Sequence, residues 1–160
     1  MTRSAGRPGA SAGRLRVLVA LALAGCGLSL YLAAFQLRLV ARVWDPLFDG
    51  GSRLVLTSGV SRLLPVPDAL LGAAVYALDA GLAVALAARA SRHPEGLATA
   101  LAVVAGVGAL GGITLAVLQP LVAGTFCTLC LASTAISIAL AIGAVGEARA
   151  VRRSPQEVHR

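Results

Sequence analysis

The segment TFCTLCLAST, residues 125–134, sets Cys127 and Cys130 three positions apart where a short Gly-containing connection passes into an apolar run. Side chains at i and i+3 of a helix share a face, so these two sulfurs can close a disulfide across one turn. A thiol in the first turn also feels the positive helix end, which draws its pKa down toward the nucleophilic thiolate. Three chemistries fit such a pair: reversible dithiol/disulfide exchange, inert packing as small apolar side chains, or half of a metal site. Zinc asks for about four ligands. His93 and His159 fall in polar segments remote from the pair and Cys26 falls inside an apolar run, so no metal is expected.

The elements that must position these cysteines follow from composition. Of 160 residues, 58% are hydrophobic and only 13% charged, against about a quarter charged in a soluble domain. Lipid is therefore the solvent for most of the chain. Uncharged runs cover 17–37 and 97–146, and 69–88 carries Asp79 as its single acid. Crossing a bilayer takes about 20 residues, so the run 97–146 must hold two spans, divided at Gln119-Pro120 with Gly124. The expectation is an all-α membrane protein, a four-transmembrane-helix bundle with helices over roughly 17–38, 69–89, 97–118 and 126–146. Residues 1–13 read as a disordered basic tail, 14–148 as the membrane domain and 149–160 as a second basic tail.

Charge placement gives the orientation. All 14 basic residues are arginine. Arg3, Arg7, Arg14 and Arg16 precede the first span, Arg89 and Arg92 separate the second and third, and Arg149, Arg152, Arg153 and Arg160 follow the fourth. These segments alternate to one side, which the positive-inside rule makes cytoplasmic, with both termini there. The protein is then a multi-pass protein of the cell (inner) membrane, in contact with membrane lipid, and the cysteine pair sits at the outer mouth of the fourth helix, where disulfides persist. The net charge of +7 is a consequence of this topology. No aromatics interleave the arginines, and nucleic acid is not an expected partner. The box Leu23-Ala24-Gly25-Cys26 imitates a lipoprotein cleavage site, but the apolar run continues to Phe35, to span rather than signal length.

Four spans, a long loop between the first two and C-x-x-C opening the last resemble the vitamin K epoxide reductase family of membrane thiol:quinone oxidoreductases. GLSLYL in the first span, RLVLTS in the loop and PVPDALLGAAVY entering the second carry the likeness further. The resemblance implies that Cys130 faces a membrane quinone, ubiquinone or menaquinone, and that Cys127 exchanges disulfides with an upstream donor. It also implies quinone contacts at Ser58, Asp68, Gly72, Tyr76 and Thr134. Asp68 stands where vitamin K reductases carry Asn, and Thr134 where they carry Tyr. Family members hold two more cysteines in the first loop as an electron relay. The loop VWDPLFDGGSRLVLTSGVSRLLPVPD has none, and Ser52 falls at the second relay position. Electrons must then come from outside the chain, from a thioredoxin-like thiol partner. The alternative is a catalytically idle membrane binding or assembly subunit.

Other features have plainer readings. Cys26, about midway along the first span, is expected to be a packed thiol. Asp79 lies at a depth where an acid costs about 3 kcal/mol, so it should face the bundle and find a hydroxyl from Thr114, Ser137 or Tyr31, as a structural group or part of a proton path. GVGALG, 106–111, matches the spacing of a dinucleotide fingerprint but lacks the preceding strand; its glycines suit close helix packing in lipid. The first loop, with Trp44, Leu47 and Phe48, reads as a short amphipathic segment on the bundle mouth, an interfacial anchor or a lid.

Overall fold

The computed structural model describes residues 8–48, 50–59, 67–88 and 94–158. It is all-helical across them: α1 (Pro8–Gln36), α2 (Gly51–Leu56), α3 (Asp68–Ala87), α4 (Pro94–Ala123) and α5 (Thr128–Val158). The 4 long helices are apolar enough to cross a membrane. α1 packs on α3 and α5, and α4 on α3 and α5, so the order around the bundle is α1, α3, α4, α5. The six-residue α2 lies against α4 and α5.

Two boundaries differ from the sequence expectation. α1 begins at Pro8 and α5 continues to Val158, inside segments read as tails. Proline suits the first turn of a helix, where no intrahelical donor is needed, and the Ala- and Arg-rich flanks propagate it. The remaining tail residues, 1–7 and 159–160, lie outside the described residues, as do Arg89, Arg92 and His93. Second, the helix expected to end near 118 runs on to Ala123, and of the residues expected at the break Gly124 makes it. Pro120 sits inside α4, which ends when Gly124 adopts φ 66° and returns its amide to the Pro120 carbonyl at 3.2 Å. A proline so near the end removes a single backbone bond, which a helix tolerates there. Gln119 consequently stays helical.

In lipid, apolar character cannot distinguish inside from outside, and side-chain size does so instead. Ala22, Ala83, Ala98, Ala105 and Ala144 are buried, while Val107, Leu110, Val117 and Leu121 of α4 face outward. Gly108 and Gly112, in and beside the GVGALG stretch, admit Val75 of α3 and Thr134 of α5. That stretch is mid-helix, with no strand before it.

Polar groups inside the bundle have specific fates. Tyr76 of α3 lies on Gly25 of α1 and carries its hydroxyl to Ser133 O at 2.6 Å and Ser137 Oγ at 2.7 Å on α5. Cys26 donates weakly to Ala73 O at 3.6 Å and is a free, half-buried thiol. Asp79 is 2% exposed, and its Oδ1 has no hydrogen-bond partner among the described residues. The three hydroxyls expected to serve it are committed elsewhere: Thr114 to Leu110 O, Ser137 to Tyr76, and Tyr31 to Arg42 O and the Trp44 amide. Hydroxyls in apolar helices turn back to their own i−4 carbonyl when no closer acceptor is offered.

Glu147, which follows the long uncharged run, is also buried. Arg14 of α1 reaches its carboxylate at 3.2 Å, tying the first and last helices at the end opposite the cysteines. Arg14→Ala removes that guanidinium and should lower stability in detergent. The loss should fall short of the about 3–5 kcal/mol of a wholly buried pair, because Arg14 is 43% exposed. Glu147→Gln should be milder, and the double variant should recover much of the Arg14→Ala loss; strictly additive losses would show the two do not interact.

Candidate functional site at the start of helix α5

The connection from α4 to α5 is short, and α5 begins two residues later than the sequence expectation of 126. Thr128 is its first residue, so Cys127 is the cap and Cys130 the third helical residue. The Cys127 carbonyl takes the Leu131 amide at 3.0 Å, and its Sγ takes the Cys130 amide at 3.2 Å. A serine or aspartate oxygen normally fills this role at a helix start. The two cysteines are joined as a disulfide with a Cα separation of 5.2 Å.

Three residues that the motif did not announce hold this start in place. Gln119, 5% exposed at the end of α4, accepts the Cys127 amide through Oε1 at 2.8 Å. Asp45, in the loop after α1, accepts the Ser52 amide of α2 at 2.6 Å, the Phe48 amide at 3.3 Å and the Thr128 hydroxyl. Gly51 brings α2 against the α4–α5 connection, where a Cβ would run into the Phe126 carbonyl and Thr125 Oγ1. The Phe48 and Phe126 rings meet beside it at 5.6 Å. Each had a faint sequence signal: Gln119 is a lone amide in an uncharged run, Asp45 precedes a proline, and Gly51 follows another glycine.

α2 is the amphipathic segment the loop composition suggested. Gly51, Ser52, Val55 and Leu56 are buried, while Trp44 and Leu47 beside it are exposed. Leu32, Val55, Leu56 and Leu129 enclose Cys127, which is 0% exposed. The Ser52 side chain is equally buried, beside the Asp45 carboxylate that takes its backbone amide. Cys130 is only partly buried and opens on a largely apolar cleft between α2, α3 and α4, walled by Leu56, Leu115, Leu118 and Val122.

Ser58 and Asp68 line that cleft with Cys130, and Gln119 joins them. Asp68 is fixed by its own helix start, accepting the Ala69 amide at 2.8 Å, and by the Gln36 side-chain amide. Gly72, Tyr76 and Thr134 lie outside the lining. Gly72 faces Ser29, Tyr76 is engaged on α5, and the Thr134 hydroxyl lies 2.9 Å from the Cys130 carbonyl and 3.2 Å from that of Gly112. Among the described residues no three His, Cys, Asp or Glu side chains converge as metal ligands.

Burial alone would raise the pKa of Asp45, but the Thr128 hydroxyl and the Ser52 and Phe48 amides outweigh it and hold the carboxyl below its ordinary value. A depressed folded-state pKa means stabilisation that is present above the ordinary carboxylate range and lost as pH falls through the depressed value. Amide exchange at Ser52, corrected for intrinsic rate, should therefore accelerate on strong acidification in the wild type, and at every pH in Asp45→Ala. A wild-type protection factor indifferent to pH would break this link. Gln119→Leu leaves the buried Cys127 amide without an acceptor and should cost about 1–3 kcal/mol, read as a lower melting temperature.

The fold and the geometry around the pair can be set beside known proteins. No curated protein and no solved structure matches the chain significantly. The vitamin K epoxide reductase family does match, over residues 16–145, which reaches into all four spans and takes in α2, the cleft and both cysteines. The chain belongs to the vitamin K epoxide reductase family, as a multi-pass membrane protein.

Proposed function

We propose that the protein is a membrane thiol:quinone oxidoreductase whose Cys127–Cys130 pair cycles between dithiol and disulfide. The observation that carries this is a Cys127–Cys130 disulfide whose Cys130 lines an apolar cleft edged by a carboxylate, a hydroxyl and an amide. An apolar cleft with a few convergent polar groups is the form of a site for a largely hydrophobic ligand with polar ends, as a quinone is.

In the quinone half-reaction, the Cys130 thiolate adds to the quinone ring, and the Cys127 thiolate then attacks Cys130 Sγ. The disulfide forms, the bond to the ring breaks and the electron pair leaves with the hydroquinone, which takes up two protons. Ser58 is the candidate donor to a quinone oxygen, and Asp68 the candidate acceptor for a hydroxyl of the hydroquinone product. Gly72, Tyr76 and Thr134 support the walls from behind: Tyr76 braces α3 on α5, and Thr134 rests on the Cys130 carbonyl. Regeneration takes two electrons from an external dithiol, a thioredoxin-like protein being the natural class because this chain has no loop cysteines. The arginine distribution supports placing the pair on the non-cytoplasmic side.

A second reading rests on Ser52 of α2, a buried serine where the family resemblance places the second relay cysteine. A serine transfers no electrons, so a folded but idle assembly subunit is the competing role. Purified protein supplied with dithiothreitol and a short-chain quinone separates the two. Turnover in the wild type that is abolished in Cys127→Ser and Cys130→Ser supports the oxidoreductase. Its absence, with the disulfide unreduced, leaves the assembly role. Ser58→Ala should raise KM for the quinone about tenfold, the equivalent of one hydrogen bond of about 1.4 kcal/mol.

A further inference from the structure

The two sulfurs of the disulfide are not equivalent. Cys127 is 0% exposed beneath α2 and Leu32, whereas Cys130 is partly exposed at the cleft. Thiol–disulfide exchange requires a thiolate to reach one sulfur and expel the other, and it is faster when the departing thiolate is stabilised. Access selects the direction: Cys127 is sealed, and Cys130 is the cysteine that lines the cleft. The helix start offsets the cost of a charge on Cys127 among Leu32, Val55, Leu56 and Leu129. Cys127 Sγ already accepts the Cys130 amide at 3.2 Å, at the positive end of α5, which favours a negative charge on it.

We propose that the reducing thiol attacks Cys130, not Cys127, entering by the cleft that the quinone uses, with Cys127 as the leaving thiolate. This deepens the thiol:quinone reading of the pair and reverses the polarity that family resemblance implies for the donor step. In the first step the donor thiolate R–S⁻ bonds to Cys130 Sγ, the Cys127–Cys130 bond breaks, and Cys127 leaves as thiolate. The donor's second thiol, once deprotonated, then attacks its own sulfur in the mixed disulfide. Cys130 is released as thiolate, the donor closes to a disulfide, and the pair has gained two electrons. Donor and quinone follow one another at a single sulfur, so turnover is ping-pong and each substrate competes with the other. A protein donor must present its thiol on an apolar projection slim enough for the cleft.

The test uses the full chain, oxidised, in detergent. A brief exposure to β-mercaptoethanol is quenched with iodoacetamide, and fragmentation of the peptide containing both cysteines locates each label. The expected product carries mercaptoethanol on Cys130 and carbamidomethyl on Cys127. The reverse distribution overturns the proposal, and so does an intact disulfide under conditions where dithiothreitol supports turnover. Steady-state assays with dithiothreitol should show inhibition by excess quinone that is competitive with the thiol. Leu118→Trp, which fills the cleft, should slow thiol attack and quinone reduction together; slowing of quinone reduction alone overturns the shared route. Adduct on Cys130 without quinone reduction would uphold the polarity and sink the thiol:quinone reading. Turnover with adduct on Cys127 would do the opposite.

Discussion

The amides that begin α5 have to find acceptors at a depth where water is scarce, and the cysteine end of the bundle is arranged around that demand. An unmet buried amide costs about 1–3 kcal/mol, and a helix start presents several. Gln119 takes the first, from Cys127, and the Cys127 sulfur takes that of Cys130. Thr128 turns its hydroxyl to Asp45, which in the same carboxylate gathers the start of α2. The loop helix is thus fastened to the spanning helix by one acid. With Gly51 allowing close approach, Val55 and Leu56 fall over Cys127. The asymmetry between the two sulfurs follows from how a helix terminus is satisfied.

The rest of the bundle supplies a rigid frame for that terminus by packing small residues inward. Tyr76 is the exception in size. Its ring occupies the space that Gly25 leaves, and its hydroxyl is shared with α5, so one side chain joins three helices midway along the bundle. At the far end Arg14 and Glu147 close α1 on α5, and Arg152 reaches Thr99 of α4. α5 is therefore held at its start, its middle and its far end by different chemistry. Asp79 of α3 is placed in the interior with Oδ1 unanswered among the described residues.

The spans, their number and the cysteine pair were legible because hydropathy and spacing are local properties. The inward faces were not. All four spanning helices are apolar around their whole circumference, so periodicity of polarity carries no signal, and only the alternation of Ala and Gly with Leu and Val marks the contacts. The end of α4 was misplaced because Pro120 is a strong punctuator in sequence, yet near a C-terminus it costs one backbone bond and Gly124 offers a better stop. Asp45 and Gln119 were invisible as site residues for another reason. Each acts through contacts across long sequence separations or a chain reversal, and nothing in the adjoining residues encodes the partner. Asp68 and Ser58, named through family likeness, line the cleft with Cys130, and Tyr76, named the same way, bonds across to α5.

The use of a cysteine as a helix cap bears on what redox cycling can do to this fold. If the cap were an oxygen elsewhere in the loop, opening the disulfide would free Cys127 to leave the helix start. Here the sulfur that changes oxidation state is itself the acceptor of the Cys130 amide. In the disulfide it accepts as a weak, neutral acceptor; as a thiolate it would accept as an anion at the positive end of α5, which is stronger. Reduction thus tightens the cap while releasing the covalent link, and Gln119 holds the Cys127 backbone in both states. In the proposed cycle the conformational consequence of two-electron transfer would then fall on the other partner, Cys130, which lines the cleft. Such a site would separate the sulfur that keeps the structure from the sulfur that meets the substrates, within a single turn of helix.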